Sequence, residues 1–354
     1  MVAAFFAVLI LQQSIASAPS AQAEQAPRFF RIGTAATSGT YFVIGAEIAN
    51  AISKPPGARD CAHGGSCGID GLIAVAQATQ GSIENVLAMG SGQLEAALVQ
   101  ADIAKWAYTG KAPPAKTCRN ASSAPANGTA LLAKVGAIGS LRAIAALYPE
   151  AIHVVARTDA KIKNLADLKG KRVAMGEPGS GTLAEAQLVL DAADVNECQI
   201  KAIYPRLSEA AGLLEKDSID ALFMIGGYPV PAITEAAAME SARLLPVSGA
   251  ARDKLIRQYP FVATTIPAGT YPGIDVETQT VAVPALFVIS AFVTDDLAYG
   301  VTKALWQDAT RRLLDSGHPA GKNIRIENAL KGVSIPLHPG ALRYYQEAGI
   351  KVAN

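Results

Sequence analysis

The chain has 354 residues, enough for one large or two medium domains. Half of them are hydrophobic and 17% are charged, which excludes a disordered chain. The formal net charge is +1 with lysines and arginines scattered singly, so nothing points to nucleic acid.

Residues 2–11 form an apolar run too short to cross a bilayer but of the right length for a signal-peptide core, and Ala21-Gln22-Ala23 supplies the small-x-small cleavage pattern. Residues 1–23 are therefore expected to be a signal peptide, with Glu24 as the new N-terminus and a periplasmic mature protein. No Lys or Arg precedes the run, which leaves the translation start open; a disordered segment or a lipid-side anchor is the alternative. The longest later apolar run, 281–293, is interrupted by Pro284 and Ser290.

Strand-like and helix-like segments then alternate. Residues 29–32 read as a strand, followed by the loop Gly33-Thr34-Ala35-Ala36-Thr37-Ser38-Gly39-Thr40-Tyr41 and a helical pattern over 42–52. Strands are expected at 72–78 and 96–99, and helices at 83–89 and 102–108. The stretch 113–134, rich in Pro, Ala, Ser, Asn and Gly, reads as a surface excursion. Residues 141–157 form a long extended segment, and the alternation resumes with strands at 172–174, 202–204 and 221–225 and helices at 182–193 and 208–214. A second long extended segment covers 280–290. This rhythm predicts an α/β fold with mainly parallel sheets, whose ligands bind beyond the carboxyl ends of the strands. The two long segments bracket a middle block, so lobe 1 is expected at 28–154 plus 276–354 and lobe 2 at 155–275.

Cys61 and Cys67 flank a glycine-rich turn containing His63. An oxidising compartment favours a disulfide there; free thiols, or zinc on Cys61, His63 and Cys67, are the alternatives. Cys118 and Cys198 can pair only if the fold brings them together.

Enzyme signatures fail one by one. The glycines of Gly176-Glu177-Pro178-Gly179-Ser180-Gly181-Thr182 fall at the wrong offsets for a dinucleotide fingerprint. Pro178 occupies the first glycine position of a nucleophile elbow around Ser180. There is no P-loop, and the four histidines show no metal-ligand spacing. No catalytic residue, cofactor or metal is expected.

What remains is a set of neutral polar groups at predicted strand ends: Thr37, Ser38, Thr40 and Tyr41 beside Gly39; Ser82 and Asn85; Gln100; Ser180, Gly181 and Thr182; and Gly227 with Tyr228. Glycine lets a backbone approach a ligand closely, and a helix start leaves N–H groups able to hold an anion. Two such loops facing each other would enclose a small carboxylate. Plainer roles compete for the same residues. Ser82, Asn85, Asp102 and Thr182 suit helix caps, Tyr41 suits a core, Gln100 could satisfy a buried backbone group, and His153 and Arg157 suit structural positions.

Several stretches together resemble the solute-receptor subunit of TRAP transporters, in the TAXI branch. They are 32–34 through Thr40-Tyr41 to Gly45, then 81–85, 97–102, 147–150 with 153–155, 165–173, 179–182, 266–271 and 335–340. The resemblance covers about residues 28–350. It implies a two-lobed, hinge-closing fold of the periplasmic-binding-protein-like (type II) kind. It also implies a monomer that captures a small carboxylate, such as glutamate or a dicarboxylate, and passes it to membrane subunits. Thr37, Ser38, Tyr41, Gln100, Ser180 and Thr182 fall where that family places its pocket. Ala35 and Ala36 stand where relatives often carry glycines. A receptor docking onto a sensor kinase, or a periplasmic enzyme acting on a small acid, would use a similar cleft.

Overall fold

The computed structural model describes residues 26–113, 128–239 and 242–352. The expected signal peptide and Cys118 lie outside them. The chain begins with β1 (Arg28–Gly33), α1 (Thr40–Ile52), the two short strands β2 (Ser53–Lys54) and β3 (Ile69–Asp70), then β4 (Leu72–Gln77), α2 (Ser82–Gly90), β5 (Ala96–Gln100), α3 (Ala101–Thr109) and α4 (Gly128–Val135). The 17-residue β6 (Leu141–Arg157) leads into β7 (Arg172–Ala174), α5 (Gly181–Ala192), β8 (Lys201–Ile203), α6 (Leu207–Glu215), β9 (Ala221–Gly226) and α7 (Pro231–Ala238). After β10 (Ala242–Leu245), α8 (Gly249–Gln258) and β11 (Val262–Ile266), the 13-residue β12 (Thr278–Ser290) returns to α9 (Asp295–Leu305), α10 (Asp308–Ser316) and α11 (Pro339–Glu347).

The predicted alternation is present, with bounds shifted by a few residues. Ile44, Ile48 and Ile52 recur every fourth position of α1 and are fully buried. Each contributes roughly 1.5–3 kcal/mol of hydrophobic burial, which outweighs the slight helix cost of a β-branched residue. All five residues of β5 are buried, as expected of a strand covered on both faces. The 113–134 stretch departs from its reading as an excursion, because its last part enters α4. Leu132 of that helix is fully buried in the main core cluster. The Pro- and Ser-rich composition upstream obscures the short helix-forming run Thr-Ala-Leu-Leu-Ala-Lys.

Among the described residues the strands join in the order β3-β2-β4-β1-β5-β12-β6-β9-β7-β8, with β10 on β6 and β11 on β12. The sheet is mixed rather than mainly parallel. β4, β1 and β5 run parallel in one lobe, as do β9, β7 and β8 in the other. The long strands β6 and β12 run antiparallel to each other and to their neighbours, and join the lobes. β12 pairs with β11 through its first half and with β5 through its second. Where the two long strands pass from one lobe to the other, Pro149 lies opposite Pro284, and the register shifts between Pro284 and Leu286. Neither proline has an N–H to give the ladder, so the pairing is weakest there.

One core cluster spans both lobes, including Ile83, Val99, Leu183 and Leu286. A second fills the first lobe around Phe30, Ile48, Phe287 and Tyr345, and a third fills the second lobe around Leu214, Ile233 and Tyr271.

Cys61 and Cys67 form a disulfide that closes a loop beyond the end of α1, and His63 lies exposed within it. Cys198 is also disulfide-bonded. Replacing both Cys61 and Cys67 by Ser is expected to lower unfolding free energy by about 2 kcal/mol. Urea denaturation should register this while solute affinity, read by calorimetry, stays unchanged.

Candidate functional site

The carboxyl ends of the parallel strands in the two lobes point at one another. β1, β4 and β5 deliver Ala35 to Tyr41, Gln80 to Ser82, and Gln100; β7, β8 and β9 deliver Gly176 to Thr182, Pro205, and Ile225 with Gly226. Residues of these segments, though not Thr37, Ser38, Pro178 or Gly179, line a cavity of about 60 Å³. Ala174, Leu207, Ala210, Phe223 and Met224 form an apolar wall on the second-lobe side. Glu150 of β6 and Glu177 also line the cavity.

Three helices start at its wall. In α5, Ser180 caps the helix: its Oγ accepts from the Leu183 N–H at 3.2 Å and donates to Glu177 O at 2.7 Å. That leaves the N–H groups of Gly181 and Thr182 without an intrahelical partner. α1 begins at Thr40 after Gly39, which has no side chain to cap it. α2 begins at Ser82 after Gly81, whose φ of 119° belongs to a conformation only glycine adopts readily. The positive ends of three helix dipoles therefore converge on one small space.

Hydrogen bonds across the cleft hold the lobes closed. Gly179 donates its N–H to Gln80 Oε1 at 2.9 Å and accepts from the Glu84 N–H at 3.0 Å. On the other flank Thr40 Oγ1 donates to Gly227 O at 2.8 Å, and His318 Nε2 lies 2.9 Å from Pro229 O.

Of the residues singled out in the sequence, Gly39, Thr40, Tyr41, Ser82, Gln100, Ser180, Gly181 and Thr182 line the cavity, as do Ala35 and Ala36. Several of their polar groups are already engaged. The Thr40 and Ser180 hydroxyls bond to main-chain oxygens, and Ser82 Oγ accepts the Gln100 N–H at 3.2 Å. Thr37 is exposed and Ser38 half-buried, both outside the lining. The Asn85 side chain donates to Thr34 O and Leu98 O and accepts from Thr79, a framework role that ties the loops after β1 and β4 to strand β5. Gly227 sits behind the wall: a Cβ there would lie 2.9 Å from the Tyr148 ring. Tyr228 packs edge-on against His153 at 6.5 Å. His153 is fully buried, bonded to Tyr271 at 2.9 Å, and desolvation pushes its pKa down to about 4.

The sequence reading missed the acids. Glu150 is buried and its Oε2 accepts the Tyr41 hydroxyl at 2.6 Å. Desolvation, assisted by the nearby Asp102 charge, raises its pKa well above the carboxylate range despite that bond. Desolvation raises Glu177 to about 7, with the Arg206 charge opposing and Glu84 and Glu209 adding. A lone carboxyl in the middle of a mostly apolar 17-residue strand was the available signal for Glu150. Among the described residues no group of three His, Cys, Asp or Glu side chains is placed to hold a metal, and no helix is long and apolar enough to cross a membrane.

Fold and cleft define a two-lobed α/β protein of periplasmic-binding-protein-like architecture, with a small cavity between the lobes. The chain belongs to the NMT1-like family, whose model matches residues 32–123 and 115–349. Among solved structures it is similar to the alkanesulfonate-binding protein SsuA from Xanthomonas axonopodis pv. citri bound to MOPS, at 14% identity over 84% of this chain and 82% of that one, with a TM-score of 0.46. It is also similar to the sugar acid binding protein DctPAm from Advenella mimigardefordensis strain DPN7T in complex with galactonate, at 16% identity over 93% and 86%, with a TM-score of 0.42. The substrate binding protein of an amino acid ABC transporter matches at 14% identity over 81% and 98%, with a TM-score of 0.43.

Proposed function

We propose that this protein is a periplasmic solute receptor of a TRAP transporter, of the TAXI kind, that captures a small carboxylate and hands it to membrane subunits. The observation that carries the carboxylate reading is the meeting of helix N-termini from both lobes, α1 and α2 against α5, on one cavity. A carboxylate there would accept from the N–H groups of Gly181 and Thr182 and the Thr182 hydroxyl on one side, and from the start of α1 on the other. Such charge-assisted bonds are stronger than neutral ones and strengthen further when closure excludes water. An amino acid such as glutamate, or a dicarboxylate, fits this description. The receptor acts as a monomer and returns its ligand unchanged.

Closure would be a swing of one lobe against the other about β6 and β12, with the proline pair Pro149 and Pro284 as the yielding point. The bonds from Gly179 and Gly227 across the cleft would belong to the closed state, which the ligand stabilises by binding it better than the open one.

Thr182→Ala is the cleanest test, because Thr182 lines the cavity while Ser180 supplies the cap of α5. Calorimetry with the cognate acid should show about tenfold weaker binding, the value of one charge-assisted bond, and an unchanged melting temperature. Unaltered affinity would remove the carboxylate from α5. Tyr41→Phe is less clean, since the hydroxyl it deletes also serves Glu150.

A further inference from the structure

The carboxylate contacts account for only one end of the cavity, where the helix starts crowd together. A Cβ at Gly81 would lie 3.6 Å from Ser180 Cα, and the Glu84 N–H donates to Gly179 O at 3.0 Å. The rest of the lining is apolar and comes from the second lobe. Leu207 is the first residue of α6, and Ala210, three positions on, shares its face. Ala174 ends β7, and Phe223 and Met224 lie near the end of β9. All five line the cavity. Leu207 and Met224 also reach the first lobe. A Cβ at Gly39 would lie 3.3 Å from Leu207 Cδ2, and one at Gly226 would lie 3.5 Å from both Met224 Cε and Thr40 Oγ1.

Nothing in this lining suits a second anion. Among the described residues no lysine, arginine or histidine lines the cavity, whereas Glu150 and Glu177 do. Arg206 is exposed and its charge acts on Glu177, with Glu84 and Glu209 adding negative charge beside it. The hydroxyls of Tyr41, Thr40 and Ser180 already donate to Glu150, Gly227 O and Glu177 O. A second carboxylate laid on the apolar wall would lose its water without gaining a partner. A methyl-bearing tail has no such cost and gains by leaving water.

We propose that this wall selects a small monocarboxylate with an uncharged aliphatic tail, and that Leu207 is its main specificity-determining residue. The inference rests on the receptor reading above and narrows its solute class away from glutamate and the dicarboxylates. The carboxylate would lie at the helix starts and the tail on Leu207, Ala210 and Met224. Leu207 is half-buried and touches the first lobe at Gly39, so it meets the tail where the lobes meet. As the first residue of its helix it can be replaced without removing an intrahelical N–H bond.

The test is calorimetry at pH 7 with four pairs of acids that differ only by an isopropyl group in place of a carboxylate, which keeps the shape and removes the charge. The pairs are malonate with 3-methylbutanoate, succinate with 4-methylpentanoate, L-aspartate with L-leucine, and L-glutamate with L-homoleucine. In at least one pair the aliphatic member should bind at least about tenfold tighter. Leu207→Lys, which brings a cation to the wall, should lower that ratio to one or below, and Leu207→Ala should lower it about threefold. A merely structural role for Leu207 would weaken both members of a pair alike and leave the ratio unmoved. An unmoved ratio in both variants would therefore overturn the proposal. Dicarboxylates that bind as tightly as their aliphatic partners in every pair would also overturn it, and would leave the receptor reading standing. Silence from all eight acids would overturn both.

Discussion

Gly181→Ala should abolish useful solute binding while the protein still folds. Gly181 is the first residue of α5 and is buried at the seam between the lobes. A Cβ at this position would overlap Gln100 Oε1, on the other side of the cleft. The main chain of Gln100 is fixed, its N–H donating to Ser82 Oγ within a strand buried along its whole length, so the flexible end of its side chain is what must give way. Its side chain must swing into the cavity, or the lobes must part. Either outcome removes contacts from both sides of the solute. The backbone of Gly181 is not in the left-handed region, and alanine is the better helix former, so α5 itself should not suffer. Affinity should fall about 100-fold or more, equivalent to about 3 kcal/mol. Circular dichroism should show a melting temperature within a few degrees of the parent, and small-angle scattering a slightly larger particle. An alanine variant that binds normally would mean that the lobes do not close on the solute in this arrangement.

The buried acids should make the unliganded protein less stable as pH rises. Asp102 ordinarily titrates near 3.8, and burial lifts it to about 7 in the folded chain; Glu150 and Glu185 are lifted well above the carboxylate range. Between pH 4 and pH 7 the folded state therefore binds more protons than the unfolded state, and unfolding free energy falls with rising pH across that window. The contribution of Asp102 alone is bounded on the order of 4 kcal/mol, from a displacement of roughly three pH units. Asp220 works in the opposite sense and in another window. The Arg172 guanidinium holds it down to about 2, so its stabilisation is present above pH 4 and disappears as pH falls towards 2. Urea denaturation at unit steps from pH 4 to 8 should show a decline, and Asp102→Asn should make it shallower while Glu150 and Glu185 keep part of it. A level profile in the parent protein would contradict the burial of these carboxyls.

Much of the framework was legible in the chain. β1, β5 and the two long strands β6 and β12 carry apolar runs of strand length bounded by glycine or polar residues; α1 follows β1 and α5 follows β7, each with helical spacing and α5 with the Ser180 cap. Both glycine-bearing loops that open α1 and α5 were also legible, because a glycine, a hydroxyl and a helix start are local signals. The antiparallel course of β6 and β12 was not, since direction depends on which strands lie beside them. The same limit hid Asn85. Its amide looks like a free polar group at a helix start, yet its donors are used by Thr34 and Leu98.

The sequence by itself determined an α/β chain whose candidate binding groups sit at strand ends, with export and a disulfide loop as further expectations. Those features are written in local patterns of hydropathy, glycine and hydroxyl residues, and such patterns survive without knowing the partners. Only the tertiary structure decided the electrical character of the cavity. Asp102, read from the sequence as a helix cap, and Glu150 and Glu185 are far apart in the chain, and no local pattern marks them as a cluster. Folding buries them together beneath Gln100, with three of their oxygens and the Gln100 carbonyl left without donors. Proximity and loss of water create that property, and neither is encoded at any one position. The paired loops could be read as an anion cleft from sequence, but the buried acids beside them come together only when the chain folds.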